Sequence, residues 1–194
     1  MYQFTHDANP TTRLNLVPFD PPEASNRVGQ PLSQGYVLTL LATVAGDYLP
    51  EHILDQLRDV EPQGWYPGQA LEDMLTILEQ QNPKLPWETG KNMYYVLRPQ
   101  FHAMGITTPE ALLNGMPHMW VEVVRGASGD WRLTELKPGY GVMELQQPFN
   151  CQFEEGAIHG SMDACNANDV EIKHTQCMRQ GAPCCRLEIR WRND

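Results

Sequence analysis

The chain has 194 residues, enough for one ordinary domain, and its mix of 41% hydrophobic and 20% charged residues excludes wholesale disorder. Acidic side chains outnumber basic ones, 24 to 14, for a formal charge of −10. That balance argues against the phosphate attraction behind most nucleic-acid binding and against anionic membranes. No apolar run reaches the roughly 18–20 residues of a membrane span. The opening Met-Tyr-Gln-Phe-Thr-His-Asp lacks the basic and apolar regions of a secretory signal, so the expectation is a cytoplasmic protein.

In chain order, residues 1–31 hold Pro10, Pro18, Pro21, Pro22 and Pro31. Each removes a backbone donor and biases the preceding residue away from the α region, which predicts an extended arm. Leu14, Leu16, Val17 and Phe19 are available to pack it on the body or on a second subunit. Residues 32–194 read as a single domain. Its first part, to about residue 115, is predicted helical. Ser33 is a candidate N-cap for a helix over 36–45, and Pro50-Glu51 opens a second. Pro67 opens a stronger one, in which Leu71, Met74, Leu75 and Leu78 form one apolar stripe that ends at Asn82-Pro83. A helix over 88–97 breaks near Pro99. Thr107 and Glu110 have capping-box spacing ahead of Ala111-Leu112-Leu113.

The period then changes. Alternation over 119–124 predicts a strand, which would put His118 and Trp120 on one face. A turn over 126–130 returns the chain as a strand at 131–136, and residues 140–145 give a third. Residues 156–164 suit a short helix. Strands at 170–177 and 185–191 are joined by a loop containing Gly181 and Pro183. Helices first and a mostly antiparallel sheet afterwards make an α+β fold.

All five cysteines fall between Cys151 and Cys185. Such clustering is unlike a disulfide scaffold. Cys177 and Cys185 flank a tight loop, His174 precedes Cys177, and Cys151 lies upstream. Three thiolates and an imidazole suit tetrahedral zinc. His174 and Cys177 face opposite sides of an ideal strand, so both can bind only if the strand ends or bulges near Thr175. Simple burial of the thiols remains open, as does disulfide exchange involving the adjacent Cys184 and Cys185.

The run Cys151-Gln-Phe-Glu-Glu-Gly156-Ala-Ile-His-Gly160, followed by His174-Thr-Gln-Cys177-x3-Gly181-x3-Cys185-Arg186, resembles the 4-vinyl reductase domain over roughly residues 110–191. That family is related in fold to the haem nitric-oxide/oxygen-binding domain and to vesicle-tethering TRAPP subunits. The resemblance implies structural zinc on Cys151, Cys177 and Cys185. The family's glutamate position falls on His174, with Glu171 and Cys184 as possible substitutes. It also implies a hydrophobic or aromatic small molecule held between helices and sheet. His102 and Trp131 stand roughly where the family's aromatic sensors contact their ligand, and Trp120, Trp65, Tyr66, Tyr94, Tyr95 and Phe101 are further candidate walls.

Haem is the alternative cofactor, with His102 the nearest axial candidate. No Tyr-x-Ser-x-Arg motif for its propionates occurs. No phosphate loop, nucleophile elbow or HExxH motif is present either, so a non-catalytic module is expected. Without a fused output domain it would act through a signalling partner or as a homodimer. A tetrapyrrole-processing protein and a protein–protein adaptor are the competing classes.

Overall fold

The computed structural model describes residues 2–192. Residues 2–31 form no helix or strand, as their prolines require. It nevertheless lies against the body as a strap. Phe4, Ala8 and Leu14 are buried, whereas Val17 and Phe19 are exposed. Thr5 and Gln69 exchange hydrogen bonds, backbone N–H to Oε1 at 3.1 Å and Nε2 to carbonyl at 2.9 Å. Gln80 Nε2 donates to the Ala8 carbonyl at 2.7 Å. The Leu14 N–H donates to Gln56 Oε1 at 3.0 Å.

His6 Nδ1 sits 3.4 Å from Glu72 Oε1. Hydrogen bonding to Glu72 raises the His6 pKa above its ordinary value, aided by the charges of Glu72 and Glu79 and opposed by burial and by Arg179. A raised histidine pKa stabilises strap docking fully below the unfolded value of about 6.5, and that contribution is lost as pH rises through the folded value. Amide exchange in the strap, corrected for intrinsic rate, should therefore be faster at pH 8.5 than at pH 6. The difference should shrink in His6→Ala.

β1 (Leu32–Gln34) leads straight into α1 (Gly35–Ala45). Ser33 does not cap this helix. It is a fully buried strand residue paired with Tyr66 and Val124. The free N–H groups of Gly35 and Tyr36 instead donate to the carbonyls of Gly64 and Pro62, both at 2.8 Å, so a neighbouring loop satisfies the helix start. After α2 (Glu51–Leu57) and β2 (Trp65–Pro67), α3 (Gly68–Gln81) buries its whole predicted stripe, together with Glu72 and Asp73. α4 (Leu85–Tyr95) and α5 (Arg98–Ala103) follow.

The strand expected over 119–124 is helical instead. α6 spans Pro109–Val123 through Pro117, capped by Thr108, whose side chain accepts from the Ala111 N–H. Leu112, Leu113, Met116 and Trp120 are buried on it at helical spacing, and that stripe outweighs a short stretch of alternation. His118 is exposed and Trp120 buried, so the two do not share a face. Only Val124–Arg125 remains as a strand, β3, which completes a small antiparallel sheet of order β2-β1-β3.

The main sheet holds β4 (Asp130–Lys137), β5 (Tyr140–Gln146), β6 (Asn168–Gln176) and β7 (Cys185–Arg192), in the order β4-β5-β7-β6 with every pairing antiparallel. The helix between β5 and β6, α7 (Cys151–Ala164), is longer than expected, because Asn150 caps it by accepting from the Gln152 and Phe153 N–H groups. The fold is thus α+β, with its C-terminal hairpin β6–β7 as read from the sequence. Among the described residues no helix is long and apolar enough to cross a membrane.

Candidate functional site

Two features carry chemistry: an apolar cavity between helices and sheet, and a corner where three thiols meet. The cavity has a volume of about 510 Å³. α1 supplies Tyr36 and Val37, α4 Met93 and Tyr94, α6 Met116, Met119 and Trp120, β4 Trp131, and α7 Ala157 and Ser161. Trp120 and Trp131 stack with centroids 4.9 Å apart and ring planes 16° from parallel, presenting one flat wall. Phe149 meets Trp120 edge-on behind it, at 5.8 Å. Burial of the ring's hydroxyl end pushes the Tyr94 phenol above its ordinary pKa, keeping it neutral. Trp131 Nε1 and Ser161 Oγ are buried without a hydrogen-bond partner.

Of the residues expected here, Trp120, Trp131, Tyr94 and Phe101 line the cavity. His102 does not. It is exposed on α5, while its neighbours Gln100 and Phe101 face the cavity. Trp65 and Tyr66 are absent from the lining and Tyr95 is exposed. The methionines and Tyr36 went unanticipated, because periodicity marks a residue as buried without saying whether it faces packing or a void.

The thiol corner forms where α7 begins beside the hairpin. Cys151 is the first residue of α7, Cys177 follows β6, and Cys185 opens β7. Their sulfurs all lie within 4.8 Å of one another, with Cys151–Cys177 at 3.8 Å and Cys151–Cys185 at 3.3 Å. Ligands on a tetrahedral zinc, at about 2.3 Å from the metal, stand about 3.8 Å apart, so the triangle has the size of a metal site. Contact with Cys151 lowers the Cys185 pKa, helped by the Met178 N–H that donates to its sulfur at 3.4 Å. Contact with Cys185 and burial raise Cys151. One thiolate is therefore favoured over three in the absence of a positive charge.

His174 stands close by but outside the three-sulfur group. The pairing shift between His174 and Gln176, together with the end of β6 at Gln176, supplies the irregularity that the histidine and Cys177 require. His174 Nδ1 faces Glu155 Oε2 at 3.3 Å, leaving Nε2 buried and without a partner. Cys184 lies apart, near Gln176, and Glu171 is exposed on β6. Cys165 is buried elsewhere, 3.8 Å from the Ile106 carbonyl, and burial pushes its thiol up to about 11.

No family model matches the sequence. No curated protein matches it either. Solved structures do share the fold. An H-NOX protein from S. oneidensis in the Fe(II)NO ligation state aligns over 82% of this chain and 99% of its own, at 16% identity and TM-score 0.66. A mutant of an H-NOX protein from S. oneidensis in the Fe(II) state gives 18% identity and TM-score 0.67, covering 83% and 97%. An Fe(II) unliganded H-NOX protein mutant from K. algicida gives 12% and 0.60, covering 83% and 97%. The 4-vinyl reductase likeness is one of motif, while the backbone has the fold of the H-NOX proteins.

Proposed function

We propose that the chain is a sensory module whose cavity holds a flat, largely apolar group, with haem the first candidate. The observation that carries this is the aromatic-walled cavity between helices and sheet in a chain with the H-NOX fold. The donor set fits haem in part. The thioethers of Met93, Met116 and Met119 and the phenol of Tyr36 line the space, and thioether and phenol oxygen are both known axial ligands. Haem bound there would supply the gas-binding iron. The protein's own contribution is the Trp120–Trp131 wall and the exclusion of water.

Titration with hemin tests the reading. Expected is a Soret band saturating near about one equivalent per chain, retained in His102→Ala because His102 points outward. No band would move the second reading forward, an uncharged aromatic ligand. That reading is favoured by the absence of any imidazole, lysine or arginine from the lining, which leaves propionates without a counter-charge.

The thiol corner is proposed as a structural zinc site of Cys151, Cys177, Cys185 and His174. Support comes from the size of the triangle and from the unpartnered Nε2 of a histidine whose Nδ1 is held by a carboxylate, the usual arrangement behind a ligating imidazole. Four protein ligands leave no open position, so such an ion holds the hairpin to α7 and activates no water.

A further inference from the structure

We propose that the N-terminal strap is a latch controlled by the thiol corner, chiefly through Arg179. This inference does not depend on which group the cavity takes. Arg179 sits in the short turn Met178–Gln180, between Cys177 and Cys185. One thiol contact and two main-chain bonds hold that turn: the Met178 N–H donates to Cys185 Sγ, and the Gln180 and Ala182 N–H groups donate to the Cys177 carbonyl. From there the guanidinium reaches across to α3, where Nη2 donates to Glu72 Oε1 at 2.6 Å and Nη1 to Glu79 Oε2 at 3.2 Å.

Glu72 is fully buried in the middle of α3, and its Oε2 has no hydrogen-bond partner. Among the described residues its charge is met from two sides, by Arg179 of the hairpin turn and by His6 of the strap, 3.4 Å away. A buried carboxylate that loses its arginine must gain water or a proton, because an unpaired charge in the interior is strongly unfavourable. His6 brings the strap directly over that carboxylate. Its second anchor leads to the same corner: Phe4 packs on Phe149 at 5.1 Å, next to Asn150, which caps the helix that begins with Cys151 and also donates to Glu79. Loosening the thiol corner withdraws Arg179, exposes the charge on Glu72 and releases the strap. Because coupling is reciprocal, an undocked strap also weakens the corner.

Amide exchange on the full-length chain tests this, reading residues 2–14 against β4 and β5 as an internal reference. In Arg179→Gln, strap exchange should rise by at least about tenfold with the reference unchanged. Adding Glu72→Gln removes the buried charge and should restore protection to within about threefold of wild type. Cys177→Ser should release the strap in wild type but not in the Glu72→Gln/Arg179→Gln background. Arg186→Gln, which breaks the half-buried pair between Arg186 of β7 and Glu144 of β5, should leave the strap unmoved. The latch is overturned if strap exchange in Arg179→Gln stays within about twofold of wild type, if Glu72→Gln fails to reverse it, or if reference and strap rise together.

Discussion

Gly160→Ala should lower the melting temperature by about 6–12 °C, from a destabilisation of about 3 kcal/mol or more. α4 and α7 cross so closely that backbone touches backbone. A Cβ at Gly160 would fall well inside contact distance of the Lys91 carbonyl, and one at Gly156 would meet the Trp87 carbonyl one helical turn away. In the reverse direction, Gly90 of α4 lies against the Phe153 carbonyl of α7. A main-chain oxygen cannot swing aside as a side-chain tip can, so the helices must separate. Separation also disturbs the cavity, because Met93 and Tyr94 of α4 and Ala157 and Ser161 of α7 line it. Gly115→Ala on α6 is the control. Its nearest neighbour would be Ile106 Cδ1 at 3.5 Å, ordinary contact, and helix propensity alone would then favour alanine by up to about 1 kcal/mol. Calorimetry on the two variants separates the effects. Equal melting temperatures would mean that the crossing yields freely and that the glycines do not set its spacing.

The second large effect belongs to the thiols. Cys177→Ser and Cys185→Ser should each destabilise the chain by about 3–5 kcal/mol and abolish metal content, since the free energy of binding a structural ion is spent on folding. Cys165→Ser should cost about 1 kcal/mol or less, because a serine there keeps the Ile106 carbonyl as partner. Metal analysis on tag-free protein should give about one zinc per wild-type chain, and His174→Ala should lower the affinity without emptying the site as Cys185→Ser does. If all three serine variants melt alike, the triangle is a packed cluster of thiols and holds no ion.

Much of this molecule is legible in one dimension. Helices ahead of a main antiparallel sheet follow from period, though the small sheet of β1, β2 and β3 does not, and the buried stripe of α3 is visible as Leu71, Met74, Leu75 and Leu78. The hairpin of β6 and β7 is bracketed by its loop residues, and the cysteine spacing picks out the three thiols that do converge. The need for an irregularity after His174 was likewise a geometric consequence of strand period. Residues 119–123 are helical despite their alternation, because alternation over six residues is weak beside a stripe that begins at Leu112, and the helix runs on through Pro117.

Everything that depends on approach between distant segments is settled by packing alone. Local sequence cannot say that α1 is capped by the carbonyls of residues 62 and 64, that three glycines let α4 and α7 touch, or that His102 faces solvent while its neighbour Phe101 lines the cavity. It also could not show that Arg179, Glu72 and His6 meet, more than a hundred residues apart in one case. Periodicity reports which side of an element is buried. Which partner buries it, and whether a void or a charge lies between them, is fixed only when the elements pack.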